Sequence, residues 1–549
     1  MKKHFLFVSL VILAFACKEE SKPSAFVWTS YDESKELTEN ADHESVRMQF
    51  KRIQSELLDK NKLLKTISNQ LDTFAEEDYQ QLKPLIFEQD IVTIQSHIKS
   101  GKLTYELLTK WYLYRIAKHE SDKNKMLNAV VAINPNAVSE AREKDSYKAA
   151  NNHPIYGMPI LLKDNINTDH MPTTAGTHLL KNNRPADAFI VEKIKENGGI
   201  ILGKTNLSEW ANFLFLGGPN GYSAVGGQTL NAYGRRVFDT GGSSSGSGAA
   251  MAANYAVAAV GTETSGSILS PSSSSSLVGL KPTVGLLSRS GIIPLSSTLD
   301  TPGPMTRNVI DNAILLSAMS GEDPKDAVTK NNPKNRSYLD NLKSGTLKGL
   351  RFGVITTLLN DTVYQQAISK LEAQGAIAVE FEPIEVNFDG FGDLLSADMR
   401  RDLPAYLNTY ASDSISVRSM KEIVAYNKTD SVNRIPYGQA RFLRATTVDL
   451  TDEELDQLRT RLHEEGKRFF DTPMNEHSLD AILSIDNQNA GYAAAAKYPC
   501  LTVPMGYRET GKPTGLTFIG KRYEEDQLLK MGYAFEQATK MRKVAKTYE

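Results

Sequence analysis

The chain is 549 residues long, 40% hydrophobic and 23% charged, the balance of a globular protein built from one large domain or a few ordinary ones. Lys+Arg number 63 against 65 Asp+Glu, so the formal net charge of −2 leaves no basic field for a nucleic-acid partner. The two cysteines, Cys17 and Cys500, exclude a disulfide framework, and no Cys/His cluster has the spacing of a zinc site.

The first seventeen residues, MKKHFLFVSLVILAFAC, read as a targeting segment. Lys2 and Lys3 form a basic start, and Phe5 to Phe15 form an apolar core too short to span a bilayer as a stable helix. Ala16 then precedes Cys17, which resembles a bacterial lipoprotein signal with cleavage after residue 16 and the lipid on the Cys17 thiol. The alternative is a plain secretory signal with a chance cysteine. Each buried CH₂ of an acyl chain contributes ~0.8 kcal/mol, so a multiply acylated Cys17 would hold the protein firmly on a membrane. The expected location is the bacterial cell envelope, lipid-anchored, on a periplasmic or outer-membrane face.

Residues 17–89 read as a polar tether, starting KEESKPS after the cysteine, followed by a helical extension. Val46, Phe50, Ile53, Leu57, Leu64, Ile67 and Leu71 recur at 4,3 spacing and predict one long amphipathic helix packed on its own domain. The stretch DIVTIQSHIKSGKLTYELLTKWYLYRIAKHE predicts a second helical region, broken at Ser100-Gly101-Lys102. From about Ile155, short apolar runs such as MPILL, GIILG, VAAVG, RFGVI and AILSI alternate with longer helical patterns. That alternation predicts a layered α/β domain over residues 90–549 with a largely buried sheet.

Three motifs compete for the chemistry. GGIILGKT fits the phosphate-loop pattern through Gly198, Gly203, Lys204 and Thr205. A phosphate loop, however, needs small residues whose N–H groups surround the anion, whereas Ile200, Ile201 and Leu202 favour a buried strand. Gly242-Ser243-Ser244-Ser245-Gly246 fits the nucleophile elbow G-x-S-x-G with Ser244 as nucleophile, but no hydrophobic strand precedes it. The only histidines that follow, His463 and His477, sit in charged helical sequence. The third candidate is Lys163 in GMPILLKDNINT, carried into the interior by the apolar run before it. A free lysine has pKa ~10.4. Burial can lower that by up to ~3–5 units and leave a neutral amine able to accept a proton. Alone, such a lysine is equally a snorkelling side chain at a strand end.

The region from GGSSSGSGAAMAANYAVAAVGTETSGSILSPSSSSSLVGLKPTVGLLSRSGIIPLSSTLDTPGPMTR resembles the signature of the amidase signature family, the Ser–cis-Ser–Lys amidohydrolases. YGMPILLKDNINT, MPTTAGT, GKTNLSEWANF and YPCLTVPMGY…GKPTGLTFIGKRYEEDQLL extend the likeness over roughly residues 90 to 540. The resemblance implies the amidase signature fold, with a large mixed β-sheet flanked by helices in α/β/α layers. It implies Ser267 as nucleophile, Ser243 as bridging serine after a cis Gly242–Ser243 bond, and Lys163 as base. Backbone N–H groups of Thr264, Ser265, Gly266 and Ser267 would form the oxyanion hole. No metal or organic cofactor is implied, and the substrate would be a small-molecule or peptide amide.

The chain also departs from the family pattern, with Ser245 and Ser265 where glycine or aspartate is frequent and Leu269 in place of an arginine. These changes bear on rate and substrate choice. Candidate substrate contacts are Ser244 and, within a selectivity segment at 385–475, Arg400, Arg401, Tyr437 and Gln439, which could equally be surface and packing residues. An export signal disfavours a role in amidating transfer RNA. The other class of reading is an amidase-fold binding protein with weak catalysis.

Overall fold

The computed structural model describes residues 26–147, 152–330, 332–333 and 337–549, so the proposed signal segment and Cys17 lie outside the described residues. One eleven-stranded sheet runs through the molecule. In spatial order its strands are Val130–Ile133, Ile200–Thr205, Pro159–Lys163, Ala258–Glu263, Thr301–Thr306, Val278–Lys281, Cys500–Tyr507, Pro513–Ile519, Ala481–Ile485, Arg351–Ile355 and Ile377–Phe381. Pairing is parallel around Pro159–Lys163 and at the Arg351–Ile355 end, and antiparallel through the middle. This is the expected mixed sheet, and its central strands are buried along their whole length because helices pack on it. The buried helix Ser245–Ala252 sits with Leu269–Ser274, while Val309–Met319 packs with Phe189–Glu196 and Glu525–Thr539. Helices between Phe391 and Glu476 form a further helical body beside the sheet. Cys500 is a fully buried core residue in its strand.

Two sequence expectations have different outcomes. The break at Ser100–Lys102 is where helices Ile91–Lys99 and Tyr105–Glu120 meet, with Gly101 at φ +74°. The long helix predicted over 46–71 is not formed. Only Lys60–Leu71 is α-helical, with a single 3₁₀ turn at Val46–Met48 upstream, and it is capped by the Asp59 carboxylate, which accepts from the Lys62 N–H at 2.9 Å. Upstream, the backbone takes tertiary partners instead of i−4 carbonyls. The Glu33 carboxylate accepts from the Ile53 and Gln54 amides at 3.1 and 2.8 Å, and the Ile53 carbonyl accepts from the Gln228 amide at 2.9 Å. Phe50 and Ile53 are therefore buried from an extended strap, and Val46 is left 48% exposed.

GGIILGKT folds as the strand Ile200–Thr205 after a helix, and no phosphate cradle forms. The Lys204 ammonium is fully buried and donates to the Ile166 carbonyl at 2.6 Å and Thr173 Oγ1 at 2.7 Å, with Asp164 Oδ1 at 3.2 Å. Lys204→Ala would leave the Asp164 carboxylate buried without its cation. It is expected to cost about 3–5 kcal/mol of stability, read as a lower urea midpoint. Calorimetry should detect no ATP binding to either protein.

Candidate active site

Lys163 is the last residue of a strand whose five side chains are all buried, so its amine emerges inside the protein. The Nζ lies 2.7 Å from Ser243 Oγ, 2.8 Å from Thr262 Oγ1 and 3.1 Å from the Thr262 carbonyl. Thr262 Oγ1 also accepts from Asn165 Nδ2 at 3.1 Å, which fixes its orientation. All of these partners are neutral. Burial therefore pulls the Lys163 pKa down to about 7, and the charges of Asp300 and Glu263 only partly oppose the shift. A neutral amine has two N–H donors and one lone pair, which matches two acceptors on Thr262 and one hydroxyl on Ser243.

Ser243 follows a cis Gly242–Ser243 peptide and is fully buried. The next amide, Ser244 N–H, donates to the Ser267 carbonyl at 3.1 Å, which ties the Ser243 loop to the half-buried Ser267. Lys163 thus stands at the end of its strand, Ser243 in the loop before the helix Ser245–Ala252, and Ser267 four residues beyond the strand Ala258–Glu263, with the Lys163–Ser243 and Ser244–Ser267 hydrogen bonds linking the three segments. Ser244 itself is spent internally. Its buried Oγ accepts from the Thr262 amide at 3.2 Å and donates to the Thr262 carbonyl at 3.1 Å, so it presents no hydroxyl to a substrate and has no histidine beside it. His463, the first histidine downstream, points Nδ1 at the Ala495 carbonyl at 2.7 Å.

Glu263, which nothing in the sequence reading singled out, organises the Ser267 loop. Its carboxylate accepts from the amides of Gly266 and Ile268, both at 2.7 Å, and of Leu269 at 3.0 Å. Of the proposed oxyanion donors, Gly266 N–H is therefore occupied by Glu263. The Ser265 and Ser267 amides find no acceptor among the described residues. Gly266 has φ +92°, and a Cβ there would lie 2.7 Å from Asn487 Nδ2, so only glycine fits. Thr264 Oγ1 donates to Asp300 Oδ1 at 2.6 Å. Ser245 donates to the Gly241 carbonyl at 2.6 Å, and Leu269 is buried in core, so neither departure faces the site.

A family pattern described as Amidase matches residues 108–485. The chain belongs to the amidase family. Its fold is similar to the crystal structure of an amidase family protein from Bacillus anthracis, with TM-score 0.86 and 38% identity over 90% of this chain and 99% of that one. It is also similar to native peptide amidase from Stenotrophomonas maltophilia, with TM-score 0.79 and 37% identity over 84% and 98% of the two chains. An Arabidopsis thaliana protein described as "Probable amidase" is 36% identical over 84% of this chain and 92% of its own length. The chain is an amidase-family hydrolase whose structural neighbours include a peptide amidase.

Beside the amidase loop lies a cavity of about 290 Å³ that reaches Asn165, Thr262 and Thr264. Its walls are Ile292 to Leu295 and one face of the helix Phe391–Thr409, where Asp402, Ala405, Tyr406, Thr409 and, just past the helix end, Tyr410 recur at helical spacing. Within the segment 385–475, this helix face lines the cavity, whereas Arg400, Arg401, Tyr437 and Gln439 do not. Arg400 donates to the Val448 carbonyl, and Arg401 pairs with Asp402 at 2.9 Å and Asp398 at 3.3 Å. Tyr437 Oη accepts from the Lys51 amide at 2.7 Å, and its ring packs on Phe215 and Tyr222. The buried Gln439 accepts from Asn427 at 3.0 Å and donates to the Val424 carbonyl at 3.2 Å. These side chains hold the helical body together.

Proposed function

We propose that the protein hydrolyses carboxamide C–N bonds through a Ser267 acyl-enzyme, with Ser243 and Lys163 as the proton relay. The observation that carries this reading is the Lys163 amine, sealed among neutral oxygens 2.7 Å from Ser243 Oγ. Neutral Lys163 draws the proton of Ser243, Ser243 draws that of Ser267, and Ser267 Oγ attacks the amide carbon. The free amides of Ser265 and Ser267 are the candidate donors to the developing oxyanion. The relay then returns a proton to the leaving nitrogen, and water releases the acid. Likeness to the S. maltophilia peptide amidase supports amidated peptides and other primary carboxamides as substrates. A serine-reactive fluorophosphonate should label Ser267, and label and amide hydrolysis should both vanish in Ser267→Ala. An intact label in that variant would overturn the assignment and favour a different nucleophile.

In the same reading the protein is exported and held on the cell envelope by lipid at Cys17, which the basic start, short apolar core and Ala16-Cys17 junction support. Cys17→Ser is expected to move the protein from the salt-washed membrane fraction to the soluble one. Retention of the variant on membranes after the wash would rule the lipid anchor out.

A further inference from the structure

Two carboxylates grip the loop that carries Ser267, and Glu263 is the one that binds its backbone. The second is Asp300. In the antiparallel register Glu263 lies opposite Thr301, so one step further out Thr264 comes beside Asp300. Thr264 Oγ1 donates to Asp300 Oδ1 at 2.6 Å. The other oxygen, Oδ2, accepts from the Leu295 amide at 2.7 Å and the Ser296 amide at 2.9 Å. One carboxylate thereby ties the residue before Ser265, a candidate oxyanion donor, to the cavity wall at Leu295. That wall is anchored in turn on the helix Phe391–Thr409. Ser296 Oγ donates to Asp398 Oδ2 at 2.5 Å, and the Ser297 amide to Asp402 Oδ2 at 2.6 Å.

We propose that Asp300 is a positioning residue for the hydrolysis: through Thr264 it fixes the Ser265–Ser267 stretch against the wall at Leu295 and Ser296, and its charge acts on the Lys163 amine. The inference rests on Ser267 as nucleophile and Lys163 as base. Asp300 and Glu263 are the charges that oppose the burial of Lys163, so together they keep its pKa from falling below about 7. Asp300 is half-buried, and that enclosure pushes its own pKa up to about 6, against the pull of Arg289. The carboxyl is therefore charged at neutral pH. The other charged groups on its cavity are Lys325, Asp326, which pairs with Arg289 at 2.6 Å, and Asp402, which pairs with Arg401 at 2.9 Å.

Two substitutions separate the geometry from the charge, both measured on the full chain with 3-phenylpropionamide. Asparagine at 300 can keep every bond. Its Oδ1 accepts from the Leu295 and Ser296 amides, and its Nδ2 donates to Thr264 Oγ1, since a hydroxyl can turn from donor to acceptor. Asp300→Asn should therefore hold its plateau kcat within about tenfold of the wild type, well short of the loss of a general base. Its acid limb should shift, with the midpoint of kcat/KM moving below the wild-type value of about 7, because a charge that favours protonated Lys163 is gone. Thr264→Val does the reverse, keeping the charge and the volume but removing the hydroxyl. Its kcat and its fluorophosphonate labelling of Ser267 should both fall on the order of 10²-fold, the cost of a misplacement of about 1 Å. Thr264→Ser should restore both. An unmoved midpoint in the asparagine variant, normal labelling and turnover in the valine variant, or equal losses in valine and serine variants would each overturn the proposal. Should Asp300→Asn fail to fold, the valine and serine pair still decides it through the labelling rate. A wild type that hydrolyses the amide with no label on Ser267 would overturn the nucleophile reading itself. Labelled wild type beside an unaffected valine variant would overturn the role of Asp300 alone.

Discussion

Lys163→Arg is expected to lower kcat/KM on a primary carboxamide by ~10²–10⁴, the range lost when a general base is removed. The lysine works as a base only because it can be neutral, and its surroundings make it so. Its partners are a serine hydroxyl, a threonine hydroxyl and a carbonyl, and burial brings its pKa to about 7. A guanidinium keeps its proton in a protein and has no lone pair to offer Ser243. Because arginine is also bulkier, Lys163→Met is the companion variant: it removes the amine without adding charge and should lose as much. The wild-type pH profile has a definite sign. Below about 7 the amine is protonated and cannot accept, so kcat/KM should rise with pH through that value and level off above it. An arginine variant with near-normal turnover, or a wild-type rate that falls as pH rises through 7, would sink the relay.

Glu263→Gln should be nearly as damaging, through geometry. The carboxylate is buried and receives three backbone N–H groups, from Gly266, Ile268 and Leu269. Glutamine keeps the volume but replaces one oxygen by an NH₂ that can only donate. Glu263 Oε2 takes both Ile268 and Leu269, and Oε1 takes Gly266, so either orientation of the amide sets donor against donor. One buried N–H left unpaired costs about 1–3 kcal/mol. The same shift moves Ser267 and the amides of Ser265 and Ser267 relative to Ser243, and a misplacement of about 1 Å costs on the order of 10²-fold in rate. The expected result is a lowered urea midpoint together with a kcat loss of about 10²-fold and slowed fluorophosphonate labelling of Ser267. Unchanged labelling with lowered stability would show that the Glu263 bonds matter to folding alone.

What the sequence by itself determined follows from order and local pattern. GIILG had to be a strand, since three large aliphatic residues cannot line a phosphate cradle, and Ile200–Thr205 is that strand. The helix break at Gly101 and a layered α/β domain with a buried sheet were likewise legible from periodicity and chain order, whereas the mixed strand pairing was implied by the family resemblance. The family blocks, each a run of neighbours, pointed to Lys163, Ser243 and Ser267 before any coordinates. Local pattern failed where the partner lay far along the chain. The 4,3 stripe over 46–71 could not reveal that Glu33, Gln228 and Asn128 would take the backbone groups of residues 53 and 54, which stops the helix at Asp59. The segment 385–475 offered the charged Arg400 and Arg401 as candidates, but its helix Phe391–Thr409 was not read from the sequence, and it is Asp402, Ala405, Tyr406 and Thr409 that form the face turned to the cavity. Tertiary structure also decided the proton affinity of Lys163. Thr262 and Ser243 meet it from another strand and a loop, and among the described residues no carboxylate contacts the amine. A pKa records the whole shell around a group, including the charges kept out of it, and spacing along a chain does not encode that exclusion.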